Sequence, residues 1–511
     1  MSEWATPVIS VRGLHVRAGN TVLLDEATFD VHAGRILTLF GPSGAGKTTL
    51  AAALADVTRP GIAVSGEIRR GDTVRVGYLP QDAAATLNPA RRIGAVLGEL
   101  VVLHQRSTGA GRVTRNRRRA LVTQALGSAA FVTDNAVLDL LLRKFPSEFS
   151  GGERVRLALA QVLTREPDVL IVDEPTVGLD PIARTILLAQ LARLRRAGKA
   201  LVLITHDPFV VSRISDHVLS VKNGRVADGV RTVTVRETAN RPTRRRTEPV
   251  LEVRDVSVNV RNTPVLRRIH LELHHGELLG LTGVSGAGKS ALARCIAGLF
   301  AADSGRILVD SEPMPLLRRR TRAQIAAIQY VWQESASSFD PRRRVVDQVA
   351  ATAVRLRGLS RTDAHTAALD MLLDLDIGPD QAARFPAGLS GGQLQRAAIA
   401  RALLAHPRIL VCDEITTALD RPLAARILDY LDYYRHTHDT AILSIGHGLR
   451  SQLDRADRIA VLDAGRIVDV GTPNELRVRP HATILHRLLD AEGLMSRGSD
   501  AGAGVWTPIT H

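Results

Sequence analysis

Three things are scarce in this chain of 511 residues. Aromatic residues are only 3% of it, so its cores are expected to be built of Leu, Val, Ile and Ala. There are two cysteines, Cys295 and Cys412, at neither metal-ligand nor redox spacing. That spacing excludes zinc ribbons, CxxC redox chemistry and a disulfide scaffold, and both residues read as small core side chains of a reducing compartment. No apolar run approaches the ~18 residues that cross a bilayer. The opening MSEWATPVIS lacks the charged and apolar regions of a signal peptide. The length predicts two to four domains.

Positive charge, by contrast, is in excess. The net charge is +15, with clusters at Arg117–Arg119, Arg244–Arg246, Arg318–Arg320 and Arg342–Arg344. They read first as solvated surface and second as a face for anionic headgroups. No aromatics interleave them, so nucleic acid is not an expected partner.

What is present occurs twice. Residues 389–420 read LSGGQLQRAAIARALLAHPRILVCDEITTALD, and residues 149–180 read FSGGERVRLALAQVLTREPDVLIVDEPTVGLD. In each, a serine and two glycines open a helical apolar period. A helix N-terminus presents unpaired N–H groups and partial positive charge, which suits a phosphate. A short apolar run follows and predicts a buried parallel strand, tipped by Asp173-Glu174 in one copy and Asp413-Glu414 in the other. That carboxyl edge is where open α/β sheets bind ligands. The serine-to-aspartate spacing is the same in both, 173 − 150 = 23 and 413 − 390 = 23.

Residues 8–39 alternate apolar and polar, with turn signals at Gly13, Gly19-Asn20 and Gly34, and predict a small antiparallel sheet leading into a strand over 36–40. Then comes Gly41-Pro42-Ser43-Gly44-Ala45-Gly46-Lys47-Thr48-Thr49, which fits G-x-x-x-x-G-K-[ST] between a strand and a helix expected over 49–57. In such a loop the backbone N–H groups wrap phosphates, the lysine reaches their oxygens, and the hydroxyl of Thr48 ligates magnesium. Residues 74–81 predict a strand ending at Gln81, placed to orient water or touch magnesium. A strand over 200–205 ends in His206.

The pattern then restarts. Gly283-Val284-Ser285-Gly286-Ala287-Gly288-Lys289-Ser290-Ala291 is the second phosphate loop, Gln333 ends a strand, and His447 follows another. The offsets 289 − 47 = 242, 390 − 150 = 240 and 447 − 206 = 241 describe a tandem duplication. The lysine-to-glutamine interval differs, 81 − 47 = 34 against 333 − 289 = 44, so the second copy holds an insertion near Arg318–Arg322.

From residue 8 to about 490 the order of motifs resembles the ATP-binding cassette (ABC) ATPases, with two nucleotide-binding domains in one chain. The resemblance implies an α/β fold of two P-loop NTPase domains, each with a mixed core sheet, an antiparallel β subdomain and a helical subdomain. The boundaries it suggests are 1–235 (helical part about 82–150), a linker at 236–248, 249–478 (helical part about 334–390) and a tail at 479–511. It implies that ATP and Mg2+ bind, with Thr48, Gln81 and Asp173, and likewise Ser290, Gln333 and Asp413, on the metal. Glu174 and Glu414 become catalytic bases, Asp180 and Asp420 D-loop residues, and His206 and His447 switch histidines. Each loop is completed by the other copy's helix: the first by Ser390-Gly391-Gly392-Gln393, the second by Ser150-Gly151-Gly152-Glu153.

A narrower similarity, to the peptide/nickel import branch, lies in YLPQDAAATLNPARR and YVWQESASSFDPRRR and in the tail segment RPHAT. It implies two membrane permease subunits, an extracytoplasmic solute-binding protein, and a peripheral place on the cytoplasmic face of the inner membrane. The cysteine cluster of some members is absent, so no iron–sulfur centre is expected. Ala18 and Val260 stand where an adenine-stacking aromatic is usual, Ile415 replaces a proline, and Gly448 an aspartate. Nickel or metal-chelate uptake is the alternative cargo. A soluble ABC-F-type translation factor is the rival class, opposed by the short 236–248 gap, which is broken by Pro242 and Pro249.

Overall fold

The structure, a computed structural model, describes residues 6–494 except 43, 58–60, 110–111, 133, 230–247, 261, 417–420 and 447. Of the expected features, linker residues 236–247, the tail beyond 494, Ser43, Asp420 and His447 lie outside the described residues. The chain divides into two compact units, one built on residues 1–238 and one on 239–418 and 425–511.

In the first unit, β1 (Ile9–Ala18) and β2 (Thr21–Val31) form an antiparallel hairpin around Gly19-Asn20. Gly13 makes no turn: it takes φ +52° at a register shift inside β1, a bulge that bends the strand without ending it. β3 (Ile36–Phe40) leads into α1 (Lys47–Leu54). That helix starts two residues before its expected start and stops short of Val57, where Asp56 adopts φ +58°. β4 (Ile62–Arg70) pairs with β1, giving a sheet in the order β2-β1-β4.

After β5 (Val76–Leu79) come the helices α2 (Ile93–Ser107), α3 (Arg115–Ser128) and α4 (Asn135–Arg143). Then follow α5 (Gly151–Leu163), β6 (Val169–Asp173), α6 (Pro181–Arg196), β7 (Ala200–Thr205), α7 (Pro208–Ile214), β8 (His217–Lys222) and β9 (Arg225–Asp228). The core sheet runs β5-β6-β7-β3-β8-β9, parallel except for the last pair. Every residue of β6 and β7 is buried, which is why these strands read as continuous apolar runs.

The second unit repeats this build. It contains β10 (Pro249–Val260), β11 (Thr263–His274), β12 (Leu278–Thr282), α8 (Lys289–Ile296), β13 (Ser304–Val309) and β14 (Glu312–Pro313). Next are α9 (Arg322–Ala327), β15 (Ile328–Val331), α10 (Val345–Thr352), α11 (Arg361–Asp374), α12 (Pro379–Ala382) and α13 (Gly391–Leu403). It closes with β16 (Ile409–Asp413), α14 (Arg421–His438), β17 (Ala441–Ile445), α15 (Leu449–Arg455), β18 (Arg458–Asp463), β19 (Arg466–Gly471), α16 (Pro473–Val478) and α17 (Thr483–Ala491). Its sheets run β11-β10-β13-β14 and β15-β16-β17-β12-β18-β19.

The expected insertion is real and holds β14 and α9. Its arginine run is not uniformly surface: Arg320 is buried, donating Nε to the Pro315 carbonyl and Nη2 to the Ile296 carbonyl. Both cysteines are buried and unbridged, and burial pushes the Cys295 thiol up to about 11 and the Cys412 thiol up to about 12. Among the described residues no helix is long and apolar enough to cross a membrane.

Candidate functional site

In each unit the phosphate loop and the Asp-Glu pair stand at the carboxyl ends of parallel strands. Glycine is obligatory where β3 meets the phosphate loop, because a Cβ at Gly41 would lie 2.1 Å from the Val221 carbonyl oxygen. Gly283 meets Leu462 O at the same distance, with φ +150°. Gly46 and Gly288 cap α1 and α8 at φ +100° and +108°, conformations that L side chains avoid.

The lysine of each loop folds across the loop mouth. Lys47 Nζ donates to Gly41 O at 2.8 Å and Pro42 O at 2.7 Å, and lies 3.9 Å from Glu174 Oε1. Burial lowers its pKa against the opposing pull of Glu174 and Asp173. Lys289 Nζ donates to Gly283 O at 2.8 Å and Val284 O at 2.9 Å. A buried ammonium held by carbonyls of a glycine-rich loop at a helix N-terminus suits a polyphosphate.

The strand next but one, β6 or β16, delivers two carboxylates by different backbone means. Asp173 and Asp413 end β6 and β16 and are buried. The glutamates after them turn away at φ +44° (Glu174) and +52° (Glu414), left-handed angles that are uncommon for non-glycine residues. Their N–H groups donate to Ile204 O at 2.9 Å and Ile445 O at 3.0 Å, so the kink is held by the neighbouring strand.

Around these carboxylates the contacts described in the two units are not the same, His447 lying outside the described residues. In the first, His206 Nδ1 lies 3.0 Å from Glu174 Oε1. Burial works to raise the Glu174 pKa, but the His206 contact and the Lys47 charge outweigh it and hold the carboxyl below its ordinary value. Gln81 is exposed. In the second, Gln333 Nε2 donates to Glu414 Oε2 at 2.7 Å.

Two tyrosines missed in the sequence complete the sites. Tyr330 donates its hydroxyl to Asp413 Oδ2 at 2.6 Å, and Tyr78 to Asp173 Oδ2 at 3.4 Å. Both stand three residues before their glutamine, 81 − 78 and 333 − 330, and that repeated place was the available signal.

These residues fit a divalent cation. Asp173 Oδ1 is buried and accepts no hydrogen bond among the described groups, a costly position for an anionic oxygen unless a cation faces it. Burial and the Glu174 charge raise the Asp173 pKa, while the neighbouring Thr48 hydroxyl lowers it. Ser290 Oγ donates to Asp413 Oδ1 at 3.4 Å. Hydroxyl and carboxylate oxygens are the hard donors that Mg2+ prefers.

The helix openings are capped as their sequences require. Ser150 and Ser390 are the N-caps of α5 and α13, each in a capping box with the residue three later. Asp180 caps α6, accepting from Ala183 N at 2.8 Å. Asp207 caps α7 through Phe209 N, whereas Gly448 offers α15 no side-chain cap. No aromatic stands at Ala18 or Val260, the outer ends of β1 and β10.

The family model described as ABC transporter matches the chain twice, over residues 24–177 and 266–417. The chain belongs to the ABC transporter family. It is a tandem ABC ATPase, with two nucleotide-binding domains in one chain and ATP hydrolysis coupled to transport. A shorter match within the first cassette, over 146–212, is to a model described as AAA domain, putative AbiEii toxin, Type IV TA system. Among similar proteins, the peptidoglycan transport ATP-binding protein YejF of Agrobacterium fabrum is 29% identical, over 95% of this chain and 96% of its own. The oligopeptide transport ATP-binding protein OppD of Mycobacterium tuberculosis is 28% identical over 95% of each. The glutathione import ATP-binding protein GsiA of Pectobacterium atrosepticum is 26% identical, over 95% of this ABC protein and 89% of its own.

Proposed function

We propose that this ABC ATPase powers the import of a peptide-bearing solute through separate membrane permeases, supplied by an extracytoplasmic binding protein. The observation that carries the reading is the doubled constellation: a buried lysine at a phosphate loop beside a kinked Asp-Glu pair, in both units. The cargo class rests on the names of the relatives, which import or transport peptidoglycan, oligopeptides and glutathione.

In this reading Gly41–Thr49 and Gly283–Ala291 hold the ATP phosphates. Thr48, Gln81 and Asp173, and likewise Ser290, Gln333 and Asp413, hold Mg2+, whose charge offsets that gathering on the phosphoryl oxygens. Glu174 and Glu414 take a proton from the attacking water, with His206 and His447 steadying the γ-phosphate end. Each loop is covered by the other unit's Ser-Gly-Gly helix, with Asp180 and Asp420 beside it, so that ATP draws the cassettes together and hydrolysis releases them. The permeases place the protein at the cytoplasmic face of the inner membrane.

Reconstitution tests this. Purified protein should hydrolyse ATP slowly, and co-expressed permeases in nanodiscs should raise the rate further when binding protein and peptide are added. Stimulation by nickel chelates but not peptides would move the cargo. Stimulation by ribosomes with none by permeases would overturn the importer reading.

A further inference from the structure

A cavity of about 470 Å³ opens beside α10 and α11, among the helices that follow Gln333. The guanidiniums of Arg343, Arg355 and Arg361 line it with His365, against a single carboxylate, Asp347. Among the described residues none of these three guanidiniums has an ion pair, a hydrogen bond or a ring contact. All three are exposed, so their charged heads are open to a ligand, whereas the buried Arg320, Arg396 and Arg435 and the half-buried Arg401 are engaged by carbonyls or carboxylates. Ala351 lies in the lining, so a compact anion could reach the three forks without a bulky side chain in its way.

The first cassette shows what has been removed. Counting back by 252 from Arg343 and Ala351 gives Arg91 and Glu99, which form an ion pair at 2.5 Å. The same shift takes Arg355 to Leu103. In the second cassette Ala351 stands in place of that glutamate, and the one carboxylate of the lining, Asp347, stands where the first has Ala95; Arg343 is left uncommitted, and Arg355 is a further arginine on the same surface. Arg355 is carried on a π turn, Ala353–Arg357, closed by Gly358 at φ +74°.

We propose that this groove binds a phosphate group, through bidentate contacts from Arg343, Arg355 and Arg361. Planar guanidiniums match phosphate oxygens in pairs, and three of them around one cavity can neutralise a phosphate mono- or diester. Two sources share that chemistry: an anionic phospholipid headgroup and a free phosphate. The site is separate from both phosphate loops and does not depend on the direction or cargo of transport.

The test uses the full chain with both loops saturated by Mg-ADP. One arm titrates inorganic phosphate by calorimetry. The other measures co-sedimentation with vesicles of phosphatidylcholine alone or mixed equally with phosphatidylglycerol. Arg355→Gln with Arg361→Gln should weaken binding at least about tenfold, since two charge-assisted contacts are removed. Ala351→Glu, which restores the first cassette's pairing and keeps every arginine, should weaken it too. Arg355→Lys should also weaken it, because a point charge cannot make the bidentate contact. Arg318→Gln with Arg319→Gln, the same charge change elsewhere, should leave binding as it was. Losses confined to the vesicle arm assign a headgroup, and losses confined to the calorimetric arm assign a soluble phosphate. No binding in either arm, or equal losses in the groove and control variants, overturns the site.

Discussion

The two cassettes share a backbone, and the contacts described for their carboxylates are not the same, His447 of the second lying outside the described residues. In the first, Glu174 is engaged by His206 at 3.0 Å, and Asp173 by the Thr48 hydroxyl and by Tyr78 at the long distance of 3.4 Å. In the second, Glu414 is engaged by Gln333 at 2.7 Å and Asp413 by Tyr330 at 2.6 Å. The helix openings differ as well. Ser150 Oγ donates to the Glu153 carboxylate at 2.8 Å, whereas Gln393 offers Ser390 a neutral amide. Strand burial and glycine geometry therefore fix where the carboxylates stand, and single side chains decide which neighbour restrains them.

The largest effect should come from removing both bases. Glu174→Gln with Glu414→Gln should retain ATP and lose turnover by ~10²–10⁴-fold, the usual contribution of a positioned base. Phosphate release by the double and single variants measures it. A double variant with near wild-type turnover would show that neither glutamate is the base, and unequal singles would show that the different contacts matter to rate.

Next, Lys47→Ala and Lys289→Ala should each cut turnover about tenfold or more, the loss of one or two charged contacts to phosphate. If one of them left the rate unchanged, its cassette would be silent and the symmetry only structural.

Tyr330→Phe should lower stability by ~1–3 kcal/mol, because it strips a short hydrogen bond from a buried carboxylate. Tyr78→Phe should cost clearly less, its contact being long. Urea unfolding of the two variants compares them, and equal costs would mean that the difference in distance has no energetic counterpart.

The smallest effect should be Glu153→Gln, which keeps the capping box but removes a negative charge from the opening of α5. It should tighten ATP binding by ~0.3–1 kcal/mol, the range of helix-terminus charge effects, with Gln393→Glu doing the reverse. Nucleotide titration in the double-glutamine background reads both. If neither moved the affinity, these helix openings would not face a phosphate.

Much of this was legible because the signals are local. Backbone needs put the glycines of the phosphate loops at fixed spacing, and full burial writes β6 and β16 as unbroken apolar runs. β4 was missed: seven of its nine residues are exposed, so it carries no apolar period. Gly13 was misread because a bulge and a turn both use glycine with positive φ. Tyr78 and Tyr330 were missed because their hydroxyls meet carboxylates 95 and 83 residues away.

By itself the sequence determined the duplication, the order of the motifs, and the strands and helices that carry them. These follow from residue type at short range, where sterics and burial act on neighbours along the chain. Only the tertiary structure decided that His206 touches Glu174 and Gln333 touches Glu414, that among the described groups no donor reaches Asp173 Oδ1, and that Arg320 is inside while Arg355 is exposed. Such contacts are set by strands and helices meeting from distant parts of the chain, and a distance of a few ångströms between them leaves no mark on local pattern.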